Sequence, residues 1–496
     1  MAGVPLTTDA GTRPRLPLRS KLLYTVGYFG VSLLSGLFLL WANYRYGALF
    51  TGPGKAYVGL ALLVAHLINA PFDPVVGWWS DRTCTRFGRR KPFIAWGTVP
   101  LIVAFALLWA PPGRIDSLWN VAWLLGIASG FFALFSLVVN PYLAMLPDIA
   151  RSNEDRVSTS ALLATFGLSA EVVAMVGGSL IAGKLGFLAA VSVVSATALV
   201  CLICPLLVRE RASGPIGEEA PPPRELGLFR AVRVTLANRP FRIFLLAKCL
   251  YWLGTRTIMA MVPFFVVGVL RAPAGQVELQ SGLLVAWAVG PAFLWFAVLR
   301  RLARRFSKRQ LTLAGLACLA LGSGLMVTVG TVPIDPMLYA RAIVAACAFA
   351  IAAVFAVPNA ILADLVDLDA RLTGSRREAM YFGAQGFFVK ASWGGASALV
   401  MGLQGACHQY PALAARLSWV AILVTALLAF VVFRRFPEDR ELRPRDEGAG
   451  ATGSGTARCS CTSRRRRRGR SPRSSRRPVR RRPAAQPRRS RRQRCR

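Results

Sequence analysis

The sequence is poor in the residues that build soluble catalytic centres. Only two histidines stand among 496 residues, and no Cys/His cluster accompanies them, which argues against a zinc site. The ten cysteines form no disulfide framework. Cys201, Cys204, Cys249, Cys318 and Cys347 lie within apolar blocks, Cys84 in a basic loop, and Cys459, Cys461 and Cys495 near the C-terminus. No nucleophile–base pair and no phosphate-cradling loop is recognisable, so neither an enzyme nor a cofactor is expected. Acidic residues are also scarce: 23 Asp and Glu stand against 61 Lys and Arg, a formal net charge of +38.

That charge is not a nucleic-acid signal. Nineteen arginines and no acidic residue fall between Gly448 and Arg496, so half of the excess lies in a low-complexity tail that cannot bury a core. The tail, 437–496, is expected to be disordered. It is either a dispensable extension or an attachment point for anionic lipid or RNA. No nucleic-acid partner is expected for the rest of the chain, which is read as a monomer.

What the sequence has in excess is apolar residues, 54% of all positions. They come in blocks of roughly 18–28 residues, the length a helix needs to cross about 30 Å of hydrocarbon. The pattern predicts an all-α integral membrane protein with transmembrane helices near 22–44, 56–79, 92–111, 118–146, 157–182, 186–208, 242–269, 281–299, 311–331, 337–363, 379–403 and 412–433. Lys and Arg crowd the exits of the second, sixth and eighth spans, whereas the opposite loops hold only Lys55, Arg114, Lys184, Arg271 and Arg416. By the positive-inside rule both termini are cytoplasmic, in a multi-pass protein of the cytoplasmic (inner) membrane. The stretch 209–240, with Pro215 and Pro221–Pro223, reads as a cytoplasmic linker between a six-helix half at 1–208 and a second at 241–436. Two such halves are the plan of a transporter that rocks about a midplane site.

Ionisable groups inside spans are expensive and therefore functional candidates. Asp73 lies in span two between Pro71 and Pro74, which disturb backbone hydrogen bonding and can free carbonyls for a cation. Glu171, Arg256 and Lys390 lie near the middles of spans five, seven and eleven. Both acids precede the linker and both bases follow it, so opposite charges are expected to meet between the halves. The alternative is a permanent ion pair that merely holds the halves together. Lys248, nearer a span end, is expected to snorkel.

Two further stretches carry patterned charge: Asp81, Arg82, Arg89 and Arg90 after span two, and Asp364, Asp367, Arg376, Arg377 and Glu378 after span ten. They are read as a cytoplasmic gate of salt bridges, with a merely solvated loop as the alternative. Gly88 would allow a tight reversal there.

These stretches resemble the glycoside–pentoside–hexuronide:cation symporters, the melibiose-carrier branch of the major facilitator superfamily. The likeness rests on Asp73-Pro-Val-Val-Gly77 running into Ser80-Asp81-Arg82-Thr83 and Gly88-Arg89-Arg90-Lys91-Pro92. It rests also on Asn140-Pro141-Tyr142 with Leu146-Pro147 and Asp155-Arg156, and on Ala363-Asp364 through Thr373-Gly374 and Glu378 to Tyr381-Phe382-Gly383 and Lys390. The resemblance implies the major facilitator fold of twelve helices, sugar-type substrates and symport with Na⁺ or H⁺. It places Asp73, with a possible Na⁺, on a helix-two carboxylate of the family, Ser136 on a helix-four hydroxyl cation ligand and Lys390 on the helix-eleven lysine. Asn69 replaces the family's other helix-two carboxylate and His66 a nearby arginine; Ser32 and Val139 replace two further acids, and the helix-five arginine is absent near Leu163. One carboxylate in place of two weakens a hard-cation site.

The expected function is secondary transport of a sugar- or glycoside-type solute, with Asp73, Asn69 and Ser136 on the coupling cation. The alternatives are a carrier of lysophospholipid or another amphiphile, or a transport-dead membrane protein with a basic recruitment tail.

Overall fold

The computed structural model describes residues 16–83, 85, 88–150, 152–208, 236–373 and 378–437. The tail at 438–496 and most of the linker, 209–235, lie outside the described residues. The described secondary structure is entirely helical, which follows from the environment: lipid offers no hydrogen bonds, so each spanning segment must satisfy its backbone internally.

In chain order the helices are α1 (Leu18–Gly47), α2 (Lys55–Asn69), α3 (Phe72–Arg82), α4 (Lys91–Leu107), α5 (Leu118–Ala144), α6 (Leu146–Ile149), α7 (Asn153–Val172), α8 (Gly178–Leu185) and α9 (Phe187–Ile203). After the linker come α10 (Arg239–Gly268), α11 (Val277–Leu302), α12 (Lys308–Val327), α13 (Pro336–Ala346), α14 (Ala348–Thr373), α15 (Glu378–Ala406) and α16 (Pro411–Phe433). Among the described residues ten segments are long and apolar enough to cross a membrane. The shorter α4 and the polar-studded α15 stand where the third and eleventh spans were expected.

Local chemistry sets the helix ends. Ser117, Ser152, Asn238 and Asp335 cap α5, α7, α10 and α13 through their side chains. Ser307 and Gln310 form a reciprocal capping box on α12. Gly88 takes φ +112°, the left-handed region that glycine reaches without strain, and so makes the reversal expected before α4.

Three spans are interrupted, the tenth at Cys347 between α13 and α14. The second breaks at Ala70–Pro71 into α2 and α3, as its prolines foretold. The fifth carries a π-helical turn, Val173–Gly177, between α7 and α8. The acidic stretch after span ten departs from expectation: Asp364, Asp367 and Asp369 lie on α14, which runs to Thr373. Ile361, Leu362, Leu365 and Val366 are buried there, so a helical apolar face continues through the acids.

Helices from before the linker meet those after it mainly at the end bearing Lys55 and Lys184. There α2 packs along α15, α1 against α10, and α8 against α11. Close approach depends on glycine. A Cβ on Gly59 would stand 2.7 Å from the Ser397 carbonyl and 2.8 Å from Ala398 Cα. Gly59→Leu should therefore wedge this end apart, since overpacking of a tight contact costs about 1–3 kcal/mol. We expect uptake in vesicles to fall about tenfold at unchanged membrane abundance; wild-type uptake would show that this contact is not needed.

Candidate functional site

The break at Ala70–Pro71 puts Asn69 at the end of α2 and Asp73 in the first turn of α3, where unpaired N–H groups and the helix dipole favour an anion. Across from it, Ser136 and Asn140 sit one turn apart on α5 and so share a face. Ser136 Oγ donates to Asp73 Oδ1 at 2.7 Å and Asn140 Nδ2 donates to the same oxygen at 3.0 Å. The other carboxylate oxygen receives Lys390 Nζ, from α15, at 2.6 Å. An ammonium has only donors, so the Asn69 amide turns its oxygen to Lys390 Nζ at 2.9 Å. Its nitrogen then donates to Ser136 Oγ and to the Phe132 carbonyl, each at 3.1 Å. The lysine charge thus rests between one carboxylate and one amide oxygen, the ligand set that would receive a hard monovalent cation.

This cluster opens on a cavity of about 260 Å³ that also exposes His66, Glu171 and Arg256. The seven residues expected at the coupling and charge-pair sites therefore line one space. His66 is buried and stacks on Phe132 with ring centroids 4.3 Å apart. Arg256 lies against both Trp252 and Trp393, its guanidinium carbon 5.1 Å and 4.3 Å from their ring centres. Glu171 shares the wall with Arg256, but among the described residues the two form no ion pair. The π-helical turn begins two residues after Glu171; such turns are enriched at functional sites. Beyond Glu171 and Arg256 lies a second chamber of about 140 Å³, walled chiefly by apolar side chains such as Met175, Met259, Leu319 and Phe355.

The family model for MFS/sugar transport proteins matches residues 23–440. The chain belongs to that family. As an MFS protein it is a membrane transporter and not an enzyme. It is 25% identical to the sodium-dependent lysophosphatidylcholine symporter 1 of Gallus gallus, over 88% of this chain and 90% of the relative. It is 23% identical to the isoprimeverose transporter of Lactiplantibacillus pentosus, over 62% and 64% respectively. The fold matches the crystal structure of a D-xylose–proton symporter with a TM-score of 0.62 at 14% identity, covering 86% of this chain and 99% of that one.

The expected gate of this MFS transporter is only partly within view. The side chains of Asp81, Asp367, Arg376, Arg377 and Glu378 lie outside the described residues. Arg82 stacks on Trp78, 4.1 Å from its ring centre, and Arg89 and Arg90 immediately precede α4. Asp364 pairs with Lys308 at 2.6 Å, joining α14 to the neighbouring α12 rather than to a helix from before the linker. Both side chains are about one-third exposed (36% and 35%), which makes the contact a weak one. Lys308→Ala should change transport less than twofold, given the few tenths of a kcal/mol such pairs contribute; a tenfold loss would assign the pair a gating role.

Lys248 corrects another expectation. Expected to snorkel, it is buried and donates to Gln385 Oε1 on a neighbouring helix at 2.9 Å. No site role was expected for Asn140, which stood only among the residues of the family resemblance, or for Trp252 and Trp393. Asn140 lies four residues from Ser136, a helical spacing that could have flagged it. The two tryptophans carry no such signal among twelve in an apolar chain.

Proposed function

We propose that this MFS transporter couples the entry of Na⁺ or H⁺ to transport of a small sugar- or glycoside-type solute. Alternating access would be provided by two six-helix halves, 1–208 and 241–436, across the cytoplasmic membrane with both termini inside. The observation that carries this reading is the Lys390 ammonium lodged between Asp73 and Asn69. These groups come from α3, α2 and α15, on opposite sides of the linker in sequence. A cation arriving at Asp73 must displace the lysine. Na⁺ would take Asp73, the Asn69 carbonyl and the Ser136 hydroxyl; a proton would take Asp73 alone. The displaced lysine then faces the cavity, where solute binds. In the return of the empty carrier it neutralises Asp73, so that step carries no bare charge through the membrane.

Cavity size supports a small solute. A space of about 260 Å³ lies at the lower edge of ordinary ligand pockets. The adjoining apolar chamber favours a second reading, an amphiphile. At about 140 Å³ it is close in size to engineered cavities that hold benzene, room for a short apolar group.

The test is uptake by the purified protein in vesicles. Pentoses, hexoses, glycosides, sugar acids and lysophospholipids are offered under imposed Na⁺ or proton gradients. One solute class should accumulate with one gradient and merely equilibrate without it. Uptake indifferent to both gradients would overturn cation coupling.

A further inference from the structure

Arg256 lies within electrostatic reach of Glu171 but forms no hydrogen bond or ion pair among the described residues. It sits within a thirty-residue span, where a guanidinium is costly unless it is paired or faces a polar cavity. Trp252, one turn away on α10, and Trp393, on α15, contact it from two adjacent sides, their own rings lying 5.7 Å apart and inclined at 66° to each other. These ring contacts hold the group in place and leave its remaining edge to hydrogen-bond. Yet among the described residues that edge donates no hydrogen bond and joins no ion pair, and Nε is fully buried without a partner. Five donors in a rigid fork, one of them already desolvated, match the two oxygens of a planar or tetrahedral oxyanion.

Three further observations point to the same ligand. Trp393 lies three residues from Lys390 on α15, so both project from one helical face. The ring of His66 lies within electrostatic reach of both Lys390 and Arg256. And the wall is balanced, with Asp73 and Glu171 against Lys390 and Arg256. A single cation bound with a neutral solute would leave that wall with an uncompensated charge inside the membrane. A cation bound with a monoanion would leave it neutral.

We propose that Arg256 is the anion subsite of the solute cavity, and that the transported solute carries a carboxylate, sulfonate or phosphate group. Its oxyanion binds the guanidinium fork beside the two tryptophans, and Lys390, once displaced from Asp73, supplies the second positive charge. The coupling ion thereby creates part of the solute site. This inference rests on the symport reading above and makes it more specific: one cation and one monoanion cross together, without net charge movement.

The experiment uses the full-length purified protein and matched probes: glucuronate against glucose, sn-glycerol 3-phosphate against glycerol, and propane-1-sulfonate against propan-1-ol. Melting temperature is recorded with each, in saturating Na⁺ and at low pH. An anionic member should stabilise the wild-type protein more than its neutral partner does. The chemistry of that member identifies which oxyanion the site takes. Arg256→Gln should weaken this binding at least tenfold. Arg256→Lys, which keeps the charge but loses the fork, should recover only part of it. The inference is overturned if no anionic probe exceeds its neutral partner, or if Arg256→Gln leaves the shift unchanged.

Voltage separates the two readings. Uptake of the binding anion under a cation gradient should be insensitive to an imposed 100 mV potential, which would change accumulation of a neutral solute by roughly 50-fold. Voltage-driven uptake of a neutral member sinks the anion subsite and leaves symport standing. Anion binding that needs Arg256, with uptake indifferent to cation gradients, sinks symport and leaves the subsite.

Discussion

Asp73→Asn should abolish gradient-driven accumulation while leaving the protein folded in the membrane. The amide is nearly the shape of the carboxylate and can keep a hydrogen bond from Ser136 Oγ, now 2.7 Å from Asp73 Oδ1. It cannot take a proton at physiological pH, and it offers Na⁺ no negative charge. It also removes the counter-charge of Lys390, which sits 2.6 Å from the carboxylate. For one-to-one symport a tenfold cation gradient supplies about 1.4 kcal/mol and supports about tenfold accumulation. In the variant the ratio of internal to external solute should therefore fall from about 10 to about 1 under that gradient. Solute exchange between the two sides, which needs no coupling, should continue. Accumulation at the wild-type ratio would remove Asp73 from the mechanism.

Lys390→Ala should have the opposite effect on cation binding and an equally large effect on transport. Without the ammonium, Asp73 is left with the neutral donors Ser136 and Asn140. Lys390 is mostly buried but Asp73 is 37% exposed, so solvent screening leaves the pair worth well under the roughly 3–5 kcal/mol of a fully buried one, about 1.4 kcal/mol, which a bound cation recovers. The apparent affinity for the coupling cation should rise about tenfold, read as a lower Na⁺ concentration, or a higher pH, for half-maximal stabilisation. Net uptake should fall by a similar factor, because the empty carrier can no longer return neutral. Exchange, in which the carrier returns loaded, should survive. A variant with unchanged cation affinity would show that the lysine does not compete for Asp73.

The parts of this site that were legible from sequence are those whose chemistry conflicts with lipid. Asp73, Glu171, Arg256 and Lys390 stand out because an ionised group in an apolar block must have somewhere polar to go, and all four line one cavity. The break at Ala70–Pro71 was legible for a similar reason: proline removes a backbone donor. Neutral participants gave no such conflict. Asn140 donates to Asp73 as Ser136 does, but an amide in a helix costs too little to mark it as a site residue, and it stood only in a stretch of the family resemblance. Trp393 stacks on Arg256, and nothing local separates it from an exposed tryptophan such as Trp96.

Other differences arose from reading position along the chain as depth in the membrane. Lys248 was placed near a surface because it lies nine residues into α10, whereas its fate is set by Gln385 on another helix. Asp364 and its acidic neighbours read as loop because they are charged. A helix that outlasts the bilayer can carry charge freely, and α14 does so to Thr373. Glu171 and Arg256 were expected to meet. They share a wall without pairing, and the guanidinium rests instead against the rings of Trp252 and Trp393.

The most direct test of the mechanism is a structure determined with the coupling cation at saturating concentration. The account predicts the cation against Asp73 and Lys390 Nζ more than 4 Å from the carboxylate, turned toward the solute cavity. A bound cation elsewhere, with the 2.6 Å contact between Lys390 and Asp73 intact, would contradict it.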